Sequence, residues 1–128
     1  MPDAAPAFPG EKYVSLLTFR KDGREVATPI WFAEEGGRIW AYSELSAGKV
    51  KRLRNNDKIR LAPCTAAGAV TGAWREGSGR IVEGGEDFSR GIQALGRKYG
   101  WQFRIASFFS RLTGRISNRT VLELRLTA

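Results

Sequence analysis

The sequence contains no histidine. That absence removes the Ser-His-Asp and Cys-His nucleophile systems, histidine-ligated metals and a histidine general base. There is one cysteine, Cys64, which excludes an intrachain disulfide and fits a reducing compartment. One cysteine without histidine also argues against a structural zinc site, and no metal ligand or catalytic residue is assigned. Enzymatic chemistry would fall to a cofactor, with the protein supplying binding and orientation. No apolar run approaches the ~20 residues needed to cross a bilayer. The first ten residues hold three prolines and lack a basic, apolar leader pattern. The expected location is therefore cytoplasmic, away from the membrane. Acidic residues are also scarce: 13 Asp and Glu against 21 Lys and Arg, for a formal net charge of +8. Such a surplus points to an anionic partner: a polyanionic small molecule, nucleic acid or a membrane surface.

What remains is enough for one domain. A chain of 128 residues can bury one real core. Residues 1–12 read as a flexible N-terminal arm and residues 13–128 as a single domain. Tyr13 to Phe19 reads as a strand, and Lys21-Asp22-Gly23-Arg24 as a hairpin turn, because Asp-Gly supplies positive φ. Glu25 to Ala33 is the second strand. Pro29 inside it has no N–H for a ladder, which puts that site at an edge or a bulge. Arg38 to Ser43 is a third strand, with Ile39, Ala41 and Ser43 on one face and Trp40 and Tyr42 on the other.

Ser46 is the expected N-cap of a helix from Ala47 to Asn55, with Val50 and Leu53 turned inward. Lys58 to Cys64 is a fourth strand. The glycine-interrupted stretch from Val70 to Glu83 is either one bent strand or a hairpin about Gly77-Ser78-Gly79. Phe88, Ile92, Leu95 and Tyr99 fall at helical spacing, and Gly100 is a stop. A second helix is expected across Phe103, Ile105, Ala106, Phe108, Phe109 and Leu112, ended by Gly114. Thr120 to Thr127 alternates as a half-buried closing strand. Short antiparallel strands with helices outside predict a mainly β fold, a small β-barrel with flanking helices.

The basic helix carries the clearest chemistry. Lys49, Lys51 and Arg52 follow a strand ending Trp40-Ala41-Tyr42-Ser43. Cations at a helix start add to its unpaired N–H groups and positive dipole end, an arrangement that suits a phosphate. The competing reading is a solvated basic face. Cys64 reads as a small buried residue, since no base is present to activate it. Trp74 fits equally a stacking platform and a core or interface tryptophan.

The runs Tyr13-Val14-Ser15-Leu16-Leu17-Thr18-Phe19, Ala27-Thr28-Pro29-Ile30-Trp31-Phe32 and Gly48-Lys49-Val50-Lys51-Arg52-Leu53 carry a family resemblance. Together, in that order, they resemble the split β-barrel flavin and deazaflavin oxidoreductases, relatives of pyridoxamine-phosphate oxidase. The nearest pattern is the actinobacterial branch that uses coenzyme F420. The resemblance spans Tyr13 to Leu126. It implies an FMN-binding-protein-like split β-barrel that forms a homodimer with cofactor clefts shared between subunits. It implies a cofactor phosphate held by Ser43, Lys49, Lys51 and Arg52, with Val50 also among the cofactor-binding residues. The ring would lie against Thr28, Pro29, Ile30 and Trp31, near Ala62, Pro63 and Cys64.

The activity implied is F420-dependent reduction of a small organic acceptor by hydride transfer. The alternatives are an FMN-binding oxidoreductase of the same fold and a non-catalytic F420 carrier. A nucleic-acid binder fits the charge, but the cations cluster at one ligand-sized spot and no RNP-like aromatic motif is present. The absence of histidine argues against pyridoxamine-phosphate oxidation itself.

Overall fold

The computed structural model describes residues 6–44, 48–82, 85–100 and 119–127. Six strands and two helices follow in the order β1 (Tyr13–Phe19), β2 (Glu25–Glu35), β3 (Arg38–Glu44), α1 (Gly48–Asn55), β4 (Lys58–Cys64), β5 (Arg75–Val82), α2 (Gly85–Tyr99) and β6 (Arg119–Leu126). The strands close into a barrel in the order β1-β2-β3-β6-β5-β4, with every pairing antiparallel. Ser46, the segment Phe103–Leu112 and Gly114, to which the sequence assigned a cap, a helix and a stop, lie outside the described residues.

The β1–β2 turn forms as its Asp-Gly pair predicts. Gly23 has φ +90°, and Arg20 and Arg24 close the turn through a backbone bond of 2.8 Å. The glycine-interrupted region resolves in favour of one strand. β5 runs straight through Gly77 and Gly79, because both face neighbours that leave no room for a side chain. A Cβ on Gly77 would lie 2.3 Å from the Arg125 carbonyl oxygen, and one on Gly79 would lie 2.8 Å from Leu124 Cδ2 and 3.3 Å from Leu53 Cδ2.

Two apolar clusters result. The barrel interior holds Val14, Leu16, Ile30, Phe32, Ile59, Leu61, Leu122 and Leu124. Val50 and Leu53 of α1 join it. The second cluster lies between the outer barrel face and α2, where Ala33, Trp40, Val82 and Val121 meet Ala94, Leu95 and Tyr99. This corrects the expected half-buried closing strand. Leu122 and Leu124 face the interior cluster, yet Val121 and Glu123 on the opposite face are also buried. α2 covers Val121, and arginines cover Glu123.

Part of the N-terminal segment packs on the barrel. Phe8 is buried in the barrel cluster, and its ring meets Phe32 edge-on with centroids 6.0 Å apart. The Glu34 carboxylate accepts from the backbone N–H of Ala7 at 2.7 Å and of Phe8 at 2.9 Å. A phenyl group of this size gains roughly 1.5–3 kcal/mol by leaving water, which offsets the ordering of a short proline-flanked segment. Among the described residues, no helix is long and apolar enough to cross a membrane.

Candidate functional site

The barrel is split where the sequence placed Pro29. β2 pairs with β3 only from Phe32–Ala41 to Glu35–Arg38. Its other half, Glu25 to Trp31, pairs with β1 alone. β3 meanwhile continues through Tyr42 and Ser43 paired with β6. The two strands therefore part just beyond Phe32 and Ala41, and Pro29, which has no N–H to offer a ladder, sits on the lip that opens. Of the edge and the bulge that Pro29 allows, the structure takes the edge.

α1 follows β3 across the 45–47 connection and caps this end of the barrel through Val50 and Leu53, both buried. The three-residue spacing puts those side chains on one face and leaves the cations on the others. Arg52 is fixed. Its Nε donates to the hydroxyl of Thr18 at 2.6 Å, and Thr18 is fully buried. The Thr18 hydroxyl lies 3.5 Å from the Val26 carbonyl oxygen, to which it can donate. Burial first, then the nearby charge of Arg20, lowers the pKa of Arg52 below the ordinary arginine value. Lys51 is exposed on the same helix.

The candidate residues fall into three groups. Thr28, Pro29 and Trp31 lie on the open half of β2 and are at least partly exposed. Ile30 points into the barrel and is buried. Ser43 is buried at the end of β3, on the far side of the split. Lys49, Lys51 and Arg52 lie on α1, whereas the Val50 side chain is wholly in the core. Ala62, Pro63 and Cys64 share rows with β2, but β1 stands between them. Ser15 pairs with both Pro29 and Ala62, and Tyr13 with both Trp31 and Cys64. Cys64 is buried, and burial and then Glu11 push its thiol above the usual range, which fits the buried-residue reading. Trp74 is exposed just before β5.

The connection 65–74 links two of these groups. Thr71 N–H donates to the Pro63 carbonyl at 2.8 Å, and Gly68 packs against Pro29. Trp31 is held from α2: its indole stacks on Tyr99, with centroids 4.8 Å apart. Sequence reasoning missed Thr18, Tyr99 and the hairpin cations Arg20, Lys21 and Arg24. The last three adjoin the recognised Asp-Gly turn, so their clustering was visible, but their approach to α1 was not. Among the described residues no group of His, Cys, Asp and Glu could hold a metal ion.

The sequence matches the pyridoxamine 5'-phosphate oxidase family across residues 1–128. The chain belongs to that family. No curated protein matches it in sequence. Its fold recurs in HutZ, the heme storage protein of Vibrio cholerae, with a TM-score of 0.72 and 13% identity over 93% of this chain and 84% of that one. A conserved hypothetical protein from Mycobacterium tuberculosis gives a TM-score of 0.69 and 19% identity over 93% and 75%. An F420 reductase gives 0.60 and 15% over 98% and 97%. At such identities the likeness establishes the fold. The pyridoxamine 5'-phosphate oxidase family assignment and the closed six-stranded barrel together bear out the split-barrel resemblance.

Proposed function

We propose that this pyridoxamine 5'-phosphate oxidase family member binds coenzyme F420 in the split between β2 and β3 and serves as a reductase for a small organic acceptor. The observation that supports it best is the parting of β2 and β3 beyond Phe32 and Ala41, with Pro29 on the open edge and the basic α1 next in the chain after β3. The residues present fit a phosphate-bearing, ring-containing cofactor. Arg52 is pinned through Nε, so its terminal nitrogens can meet a phosphate as a preorganised fork. Lys49 and Lys51 add charge on the same helix. The open edge from Thr28 to Trp31 offers backbone groups to a flat ring.

When bound and reduced, the cofactor supplies the hydride. The chain's own part is to hold the phosphate, to lay the ring along β2 and to exclude water around the acceptor. The net charge of +8 favours F420, whose anionic tail exceeds that of FMN. Heme is the cofactor named for the Vibrio cholerae structure. This chain has no histidine to offer an iron, and its one cysteine is buried.

We further propose a homodimer in which a second copy completes the cleft. Val70 and Trp74, the large hydrophobic residues exposed among those described, lie on the segment that packs beside Pro29.

The deciding experiment is a fluorescence titration of the purified protein with F420 and, separately, with FMN at physiological salt. Saturable binding of F420 with little binding of FMN is expected. Preference for FMN would replace the cofactor assignment, and binding of neither would remove it. Turnover with added reduced F420 then separates a reductase from a carrier.

A further inference from the structure

The β1–β2 hairpin and α1 flank an open surface groove of about 340 Å³ that the cofactor reading leaves largely unused. Arg20, Lys21 and Arg24 line it from the hairpin, and Lys51, Arg52 and Asn55 from α1. The one acidic residue lining it, Asp22, is already engaged. Its carboxylate accepts from the Arg24 backbone N–H at 3.1 Å and from Arg24 Nε at 2.7 Å. Arg20, Lys21 and Lys51 have no ion-pair partner among the described residues. Like charges thus converge across two elements distant in sequence, and among the described residues only Arg24 is neutralised, by Asp22.

The groove is also built rather than incidental. Its hairpin wall is closed by backbone bonds from Arg20 N to Arg24 O at 2.8 Å and from Gly23 N to Arg20 O at 2.9 Å. Its helical wall is anchored in the barrel core by Val50 and Leu53. Arg52 is pinned between the walls by the buried hydroxyl of Thr18. Arg52, held in place by that bond, loses little side-chain freedom on binding, and the exposed cations around it are carried on two well-ordered elements.

We propose that this groove is a binding site for a small molecule carrying two or more adjacent phosphate groups. The planar guanidinium of Arg52 and the point charges of Lys21 and Lys51 match tetrahedral oxyanions at close spacing. A single phosphate would engage one wall; adjacent phosphates engage both. The site shares Lys51 and Arg52 with the proposed cofactor phosphate but adds hairpin residues that the cofactor reading does not use.

The test is calorimetric titration of the full chain with inorganic tripolyphosphate, beside the separate cofactor titration. Saturable binding is expected in the unaltered protein. Arg20→Gln with Lys21→Gln should weaken it about tenfold while F420 affinity stays within about twofold. Asp22→Asn, which frees Arg24, should tighten it. A control removing two cations elsewhere, Arg90→Gln with Arg97→Gln on α2, should change it much less. Failure of F420 to bind would leave the tripolyphosphate expectations unaltered, so the two readings fail separately. Absence of saturable tripolyphosphate binding, or equal weakening in the α2 control, would overturn the proposal. A single-stranded oligonucleotide that binds more tightly than tripolyphosphate would also overturn it and make the hairpin a nucleic-acid surface.

Discussion

The Tyr99 hydroxyl takes the place of a missing ladder rung at Phe32. The β1–β2 ladder ends at Tyr13 and Trp31, so the next rung would join Lys12 to Phe32. There the Tyr99 oxygen accepts from Phe32 N–H at 2.8 Å. Its proton can go to the Lys12 carbonyl at 2.7 Å or the Phe32 carbonyl at 2.8 Å. Tyr99→Phe keeps the stacking on Trp31 but strands a buried N–H, at a cost of roughly 1–3 kcal/mol. A urea unfolding midpoint indistinguishable from the unaltered protein would refute that role.

The stability of this fold should depend on alkaline pH in two opposing ways. Lys98 Nζ lies 3.3 Å from the centroid of the Phe32 ring. Burial lowers its pKa to about 8, against the opposing pull of Glu34 and Glu11. Between about 8 and its ordinary 10.5 the unfolded chain binds more protons, so stability rises with pH across that window. Tyr99 goes the other way. Burial raises its phenol to about 12 from 10.0, and stability is lost as pH climbs through that window. Unfolding midpoints should therefore rise from pH 8 toward pH 10 and fall beyond it. Lys98→Met should flatten the rise and add on the order of 1 kcal/mol at pH 7, discounted because the side chain is partly in water. A rise that persists in the variant would assign it to another group.

What the sequence made legible were properties carried locally. Pro29 announces an edge because its missing N–H is its own. Val50 and Leu53 announce the inward face of α1 because they are one turn apart. Asp22-Gly23 announces a hairpin. What it hid required distant partners. Phe8, between two prolines, resembles an arm until Glu34, far along the chain, collects the N–H groups of Ala7 and Phe8. Trp40 and Val121 read as one outer face of a half-buried sheet until α2 covers them. Arg52 reads as a free helix cation until Thr18 claims its Nε. Ala62 and Cys64 were expected beside the ring, and only the strand order reveals β1 between them and β2.

Gly91 sets how closely α2 can approach the barrel. A Cβ there would lie 2.5 Å from Val121 Cγ1 and 3.0 Å from Trp40 Cε3. Alanine is the better helix former by about 1 kcal/mol. Here the overlap should win, because Trp40 and Val121 are fully buried and cannot yield without moving a strand. Gly91→Ala is expected to destabilise by about 1–3 kcal/mol. Chemical denaturation reads the sign directly, and a stabilised variant would mean that α2 can lift off without loss.

Glu123 binds the outer face of the barrel together. Its Oε2 accepts from Arg80 at 2.7 Å and Arg38 at 3.1 Å, and its Oε1 from Arg125 at 2.7 Å. Arg80 and Arg38 also reach Asp87 in the first turn of α2, at 2.5 and 3.4 Å. Burial alone would raise the Glu123 pKa, but the bonds from Arg80 and Arg125 prevail and hold it below 4.5. Its contribution is thus present above the ordinary glutamate value and lost as pH falls through the lowered one. Glu123→Gln should cost about 1–3 kcal/mol near neutrality, since it weakens charge-assisted bonds from a buried carboxylate to guanidinium groups of which Arg80 and Arg125 stay exposed to water. The variant should also lose less stability on acidification. Parallel acid curves for the two proteins would place that pH dependence elsewhere.

The cofactor clamp makes the sharpest demand on α1. Lys51 is exposed, and the inward face of the helix is Val50 and Leu53. Lys49→Ala with Lys51→Ala is expected to weaken F420 binding by on the order of 2 kcal/mol or more if both form charge-assisted bonds to its phosphate. A loss of that size exceeds what removing two solvated charges gives at physiological salt. The urea midpoint of the same variant, measured beside the affinity, separates a lost contact from a lost helix. Unchanged F420 affinity in the double variant would remove the phosphate from α1 and leave the cleft at Pro29 without its anchor.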